Sequence, residues 1–192
     1  SQDKVSSHGR YVRRYGRGCK MDDELKKYRE YLIKEHKAKF PKFAKDAVYS
    51  AQILALLQDP GNSDAERTKV CSIAENKDAT SRNQERAIKS AGIDTNNIVF
   101  WNFYASFDIG KNFRIKSQKK WAKEIVKLIG LMPNLKVVLV CGKEAQKGMR
   151  FVELDKDITS IESPHPSWRG QWRPGAKDEL KNAWKQARDI IK

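Results

Sequence analysis

Cysteine, acidic residues and long apolar runs are all scarce in this chain. The three cysteines, Cys19, Cys71 and Cys141, are odd in number, far apart and without C-x-x-C spacing. This argues against a disulfide framework, a zinc site or an iron–sulfur cluster. Incidental or buried thiols in a reducing compartment remain, and neither a metal nor a cofactor is expected. Acids number 24 against 39 lysines and arginines, for a net charge of +15. A field of that sign favours a polyanionic partner, nucleic acid first and an anionic membrane second. No apolar run approaches the length of a bilayer span, and the first residues lack the apolar core of a signal peptide. The expectation is a soluble monomer, cytoplasmic or nucleoid-associated, with DNA as partner and no membrane. Neither a G-x-G-x-x-G nor a P-loop is present, which disfavours a generic doubly wound nucleotide-binding enzyme. Internal repeats and low-complexity segments are also missing.

What is present suffices for one domain. A chain of 192 residues with 39% hydrophobic residues can bury a core without disulfides. Residues 1–20 carry Lys4, Arg10, Arg13, Arg14, Arg17 and Lys20 against the single acid Asp3, and glycines interrupt them. That reads as a flexible basic arm, with 21–192 as the folded domain. Tyr11 and Tyr15 among the arginines suit phosphate contacts combined with base stacking; a solvated tail is the other reading.

The hydrophobic pattern alternates between helix and strand. Asp22 and Asp23 open a helix to about Lys39, with Leu25, Tyr28 and Leu32 as its apolar stripe. Ile53–Leu57 is a short apolar run, the length of a buried strand. A helix over 81–91 stops at Gly92, and Ile98–Trp101 is a second strand ending in Asn102. Ser117 is expected to cap a third helix bearing Trp121, Ile125, Leu128 and Ile129. Lys136–Cys141 is the third strand, a short helix follows over 144–149, and Asp157–Glu162 is a weaker strand. The last helix is expected to start at Pro174. The fold class is therefore α/β, a three-layer α/β/α sandwich around a four-stranded, mostly parallel sheet.

In such a sheet the carboxyl ends of the strands share one edge, and ligands bind in the crevice beyond it. Three polar groups are delivered there: Asp59, Asn102 and His165. Asp59 sits in Q-D-P-G, where Pro60 fixes φ and Gly61 permits positive φ. Each group also has a plain structural use. Asp-Pro-Gly is ordinary turn chemistry, Asn102 could cap a loop, His165 between prolines could be a rigid turn, and Trp168 and Trp172 could be core.

Four motifs taken together resemble the uracil-DNA glycosylase superfamily. They are L-L-Q-D-P-G at 56–61, W-N at 101–102, G-K-E-A-Q-K-G at 142–148 and S-P-H-P-S at 163–167, in the family's order and at strand ends. The resemblance covers roughly Ala51 to Gly170. It implies a monofunctional DNA glycosylase that hydrolyses the N-glycosidic bond of an extruded base, in base-excision repair or against foreign DNA. It gives Asp59 the water-directing role and His165 the hydrogen bond to the base carbonyl. Asn102, Gln58 and Gly61 would line the base pocket. Ser163, Ser167, Gln146 and Lys147 would meet DNA, as would the arginines of the arm. Trp168 and Arg169 would occupy the wedge loop that enters the duplex, with Arg169 at the family's wedge position.

Two positions depart from the family's best-known branch. Gly61 stands where that branch has a tyrosine crowding C5 of the base, and no aromatic ring occurs in 70–74. An enlarged pocket of this kind implies a C5-modified pyrimidine, such as the hydroxymethyl or glycosylated cytosines of some viral genomes. Ordinary uracil and a catalytically inert DNA-binding module are the alternatives.

Overall fold

The computed structural model describes residues 5–6, 23–60, 72, 75–76, 78–109 and 112–192, the side chains of 5, 6 and 109 excepted. In chain order the elements are β1 (Val5–Ser6), α1 (Asp23–His36), β2 (Ile53–Leu57), α2 (Ala79–Ala91) and β3 (Ile98–Asn102). There follow α3 (Ile115–Leu131), β4 (Val137–Cys141), α4 (Lys143–Met149), β5 (Val152–Glu153), β6 (Thr159–Ser163) and α5 (Ala176–Ile191).

Four strands form one sheet in the order β3-β2-β4-β6, and every pairing is parallel. β2, β3 and β4 are buried along their whole length, because helices cover both faces and leave no side for polar residues. β3 and β6 are the two edges, and of these β6 is the more open, with only Ile161 and Ser163 buried. Neighbouring side chains on β3 point to opposite layers. Phe100 meets Trp184 of α5, whereas Trp101 stacks on Phe43 at 4.1 Å and meets Tyr28 of α1. Trp101 and Trp184 are fully buried, and truncating such a ring costs about 3–5 kcal/mol.

Successive strands β2 and β3 are adjacent, and the chain then returns to lay β4 on the other side of β2. The direction of winding therefore reverses between β2 and β4, the place where open α/β sheets bind ligands. Asp59 follows β2 and Gly142 follows β4 at that reversal.

Several boundaries differ from the sequence reading. α1 ends at His36 because Lys37 turns left-handed with φ 49°. α2 begins at Ala79, since Asp78 caps it by accepting the Ser81 N–H at 2.8 Å. α3 begins at Ile115, where Arg114 is the cap residue without a side-chain bond; Ser117 lies inside the first turn, buried. α5 begins two residues after Pro174, because Gly175 adopts φ 83° and stands at the cap position. β6 is shifted to Thr159–Ser163, in register with β4. Within the expected arm, Val5–Ser6 pair in parallel with Val152–Glu153, a pairing too short to leave a hydrophobic pattern.

Candidate functional site

Three of the four strand ends of the sheet carry the residues singled out by sequence. Asp59 stands two residues past β2, Asn102 is the last residue of β3, and His165 stands two residues past β6. The β2 and β3 exits remain tied beyond the sheet. Phe103 N donates to Leu57 O at 2.8 Å and Tyr104 N donates to Gln58 O at 2.9 Å. The backbone carbonyl of Gln58 is thus engaged, and its side-chain amide donates to Asp59 Oδ2 at 2.7 Å. Gln58 orients the carboxylate.

Asn102 is buried, and its Oδ1 has no hydrogen-bond partner among the described residues. An unsatisfied buried amide oxygen costs about 1–3 kcal/mol, so the position asks for a functional explanation.

The His165 loop is braced from several directions. Ser167 N donates to His165 Nδ1 at 3.0 Å. Asn83 of α2 donates to Pro166 O at 2.7 Å, and Gln171 Nε2 donates to His165 O at 3.0 Å. Gly142, with φ 87°, faces the imidazole so closely that a Cβ there would lie 3.0 Å from His165 Cβ. Because Nδ1 accepts an N–H, the neutral ring carries its proton on Nε2. Burial pushes the His165 pKa below its ordinary 6.5, and the Asp59 carboxylate pulls it partly back. The ring is therefore neutral at pH 7, a fixed donor within electrostatic reach of a carboxylate.

The surrounding positions sort into support and surface. Gln146 donates to Ser163 O at 2.9 Å and to Val140 O at 3.2 Å. Both donors of that amide pin strand ends. Ser163 is buried, and its hydroxyl donates to Pro164 O at 3.0 Å. Ser167 Oγ accepts Gly170 N–H at 3.2 Å. Lys147 is exposed and pairs with Glu144 at 3.0 Å. Trp168 and Arg169 are exposed, as is Trp172, so the two tryptophans are not core. Gly61, Arg10, Arg13, Arg14 and Arg17 lie outside the described residues. Asn83, Gly170 and Gln171 hold His165 but had no sequence signal, because their partners are set by tertiary geometry.

A cleft of about 670 Å³ lies on the α5 side of His165, lined among others by Lys143, Arg173 and Asn182. His165 lines it but neither Asp59 nor Asn102 does, so the cleft reaches only one of the three strand-end groups. No set of three or more His, Cys, Asp or Glu suited to a metal occurs among the described residues. No helix among them is long and apolar enough to cross a membrane.

Chemically, the arrangement offers a carboxylate for a developing cation and a neutral N–H for a developing anion. No protein-family model matches this chain and no curated protein matches it, so the resemblance rests on the four sequence motifs.

Proposed function

We propose that this chain is a monofunctional DNA glycosylase that hydrolyses the N-glycosidic bond of an extruded pyrimidine. The observation that carries the reading is the neutral His165, its tautomer set by Ser167 N–H, within reach of the Asp59 charge. Cleaving a nucleoside C–N bond separates a sugar cation from a base anion. Asp59 stabilises the cationic sugar and directs water to C1′, while His165 Nε2–H donates to the base carbonyl as negative charge collects there. The neutral ring serves this purpose without first having to lose a proton. Asn102, with its unpaired Oδ1, meets the pairing edge of the base. Extrusion costs a few kcal/mol, which contacts with flanking phosphates and Arg169 entering the vacated gap offset. The departures at Gly61 and 70–74 favour a pyrimidine enlarged at C5, with foreign DNA as its source.

The test is single-turnover excision on duplexes carrying a panel of modified bases, followed by alkaline cleavage of the abasic product. Asp59→Asn and His165→Ala should each lower the excision rate by orders of magnitude with DNA affinity nearly unchanged, since both act on charge that develops only in the transition state. Full activity in either variant on a verified substrate would overturn the assignment.

A further inference from the structure

Trp101, Trp121 and Trp184 are buried in the core, whereas Trp168 and Trp172 are 59% and 72% exposed. The exposed pair lies four residues apart, with ring centroids 4.6 Å apart and planes inclined at 43°. Each indole shields part of the other and still leaves more than half of its surface to solvent. Scattered exposed apolar residues need no explanation, but a contiguous aromatic pair beside a reactive centre does.

The mount beneath the pair is rigid. Gln171 N donates to Ser167 O at 3.0 Å and Trp172 N to Arg169 O at 3.3 Å, so the segment is wound into consecutive turns. Its Gln171 amide reaches back to His165 O. A Cβ on Gly170 would stand 2.0 Å from that same carbonyl oxygen, so the turn is pressed directly against the histidine. The indoles therefore stand at a fixed offset from the His165 ring. Arg169, between them in sequence, is exposed, while Arg173 is held by Glu179 through a two-pronged ion pair.

We propose that Trp168 and Trp172 form a stacking platform for unpaired nucleobases flanking the target nucleotide. Single-stranded or locally opened DNA is then the strand state this chain grips most tightly. A target nucleotide rests on the glycosylase reading, whereas the platform itself does not. Aromatic faces accept any base, because every base has a π-face, and basic groups alongside supply the phosphate contacts. A closed duplex hides those faces. Extruding one nucleotide deprives its neighbours of a stacking partner, and an indole held near the reacting centre replaces it. A second copy of the chain is a poor occupant. A stable interface buries about 800 Å² per partner, and two rings that already cover one another present far less.

The experiment measures equilibrium binding of oligothymidylate and of an equal-length abasic oligonucleotide with the same phosphates. Wild type, Trp172→Ala, Trp172→Phe and Arg169→Gln are compared, with circular dichroism to verify folding. Trp172→Ala should weaken oligothymidylate binding roughly tenfold or more and abasic binding less than twofold, and Trp172→Phe should restore most of the loss. Arg169→Gln should weaken both oligonucleotides alike. Equal losses on both oligonucleotides in Trp172→Ala would overturn the platform. So would sedimentation of wild type as a dimer that Trp172→Ala dissociates without changing oligothymidylate affinity. Binding is read without turnover, so base-dependent binding with no excision of any base would overturn the glycosylase alone. Excision with base-independent binding would overturn the platform alone.

Discussion

Gly170 is packed against the His165 carbonyl so tightly that the smallest side chain would collide with it, a Cβ falling 2.0 Å from the oxygen and 2.8 Å from the carbonyl carbon. Both atoms are backbone, and the strand end behind them is pinned by Gln146. Gly170→Ala must therefore push the His165 loop outward. Excision should fall at least tenfold, with about 1–3 kcal/mol of stability lost to overpacking. Gly130 is the internal control: it lies within α3 with nothing within 4 Å of its Cβ position. Gly130→Ala should raise stability by about 0.5–1 kcal/mol through helix propensity and leave excision unchanged. Thermal unfolding and single-turnover kinetics on both variants check the contrast. A Gly170→Ala protein with wild-type kinetics would show that the loop tolerates displacement.

The half-buried imidazole of His165 makes a second prediction through proton linkage. Its folded-state pKa lies below the ordinary 6.5 because burial disfavours the charged ring, the Asp59 charge only partly opposing this. Above pH 6.5 both folded and unfolded chains hold a neutral ring, and no stability is lost at this position. As pH falls below 6.5 the unfolded chain takes up the proton first, so this contribution declines until the folded-state pKa is passed. Wild type should therefore lose stability on acidification more steeply than His165→Gln, which has no ring to protonate. Excision should fall only at the acid end of this range, as pH passes the folded-state pKa and the neutral ring is depleted. Parallel pH profiles of unfolding for the two proteins would refute the shift.

The strand ends were the most legible part of the chain. Ile53–Leu57 and Val137–Cys141 are continuous apolar runs because both faces of the sheet are covered, and parallel topology places the polar residues beyond the strands at one edge. Legibility failed where tertiary contact decides. Pro174 suggested the start of α5, yet Gly175 in a left-handed conformation holds that place. Asn83 braces Pro166 across 83 positions of sequence, a relationship that no local pattern records. Gln146 reads as a DNA contact by motif, while its donors are spent on Val140 and Ser163. The tautomer of His165 depends on one backbone N–H from Ser167, which proline spacing alone does not reveal.

The basic segment supplies a test that spares the β1 pairing. Arg10, Arg13, Arg14 and Arg17 lie between Val5–Ser6, which pair with β5, and the start of α1. Replacing all four with glutamine should weaken DNA binding and reduce the dependence of log affinity on log salt. On duplex DNA the slope should change by up to about 3.6, since each phosphate left without its arginine removes about 0.9. Excision at saturating enzyme should survive. An unchanged slope in fluorescence anisotropy titrations across a salt series would show that these arginines do not meet phosphate.

On the proposed glycosylase reading, base choice turns on what the sequence omits around C5. Gly61 carries no side chain where the resembling family's best-known branch places a tyrosine, and 70–74 reads V-C-S-I-A with no ring to stack on a flat base. On that reading a bare uracil gains little, because it lacks both a stacking ring and a side chain against C5. A pyrimidine bearing a hydroxymethyl or glycosyl group at C5 fills that space, and Asn102 still faces its pairing edge because an amide can present either an acceptor or a donor. On matched duplexes in competition, a C5-enlarged cytosine should be excised in preference to uracil by at least tenfold in kcat/KM. Gly61→Tyr should abolish action on the bulky base while sparing residual action on uracil, since the added ring occupies only the C5 side. Efficient uracil excision with none of any C5-enlarged base would overturn the enlarged pocket and leave the chemistry of Asp59 and His165 standing.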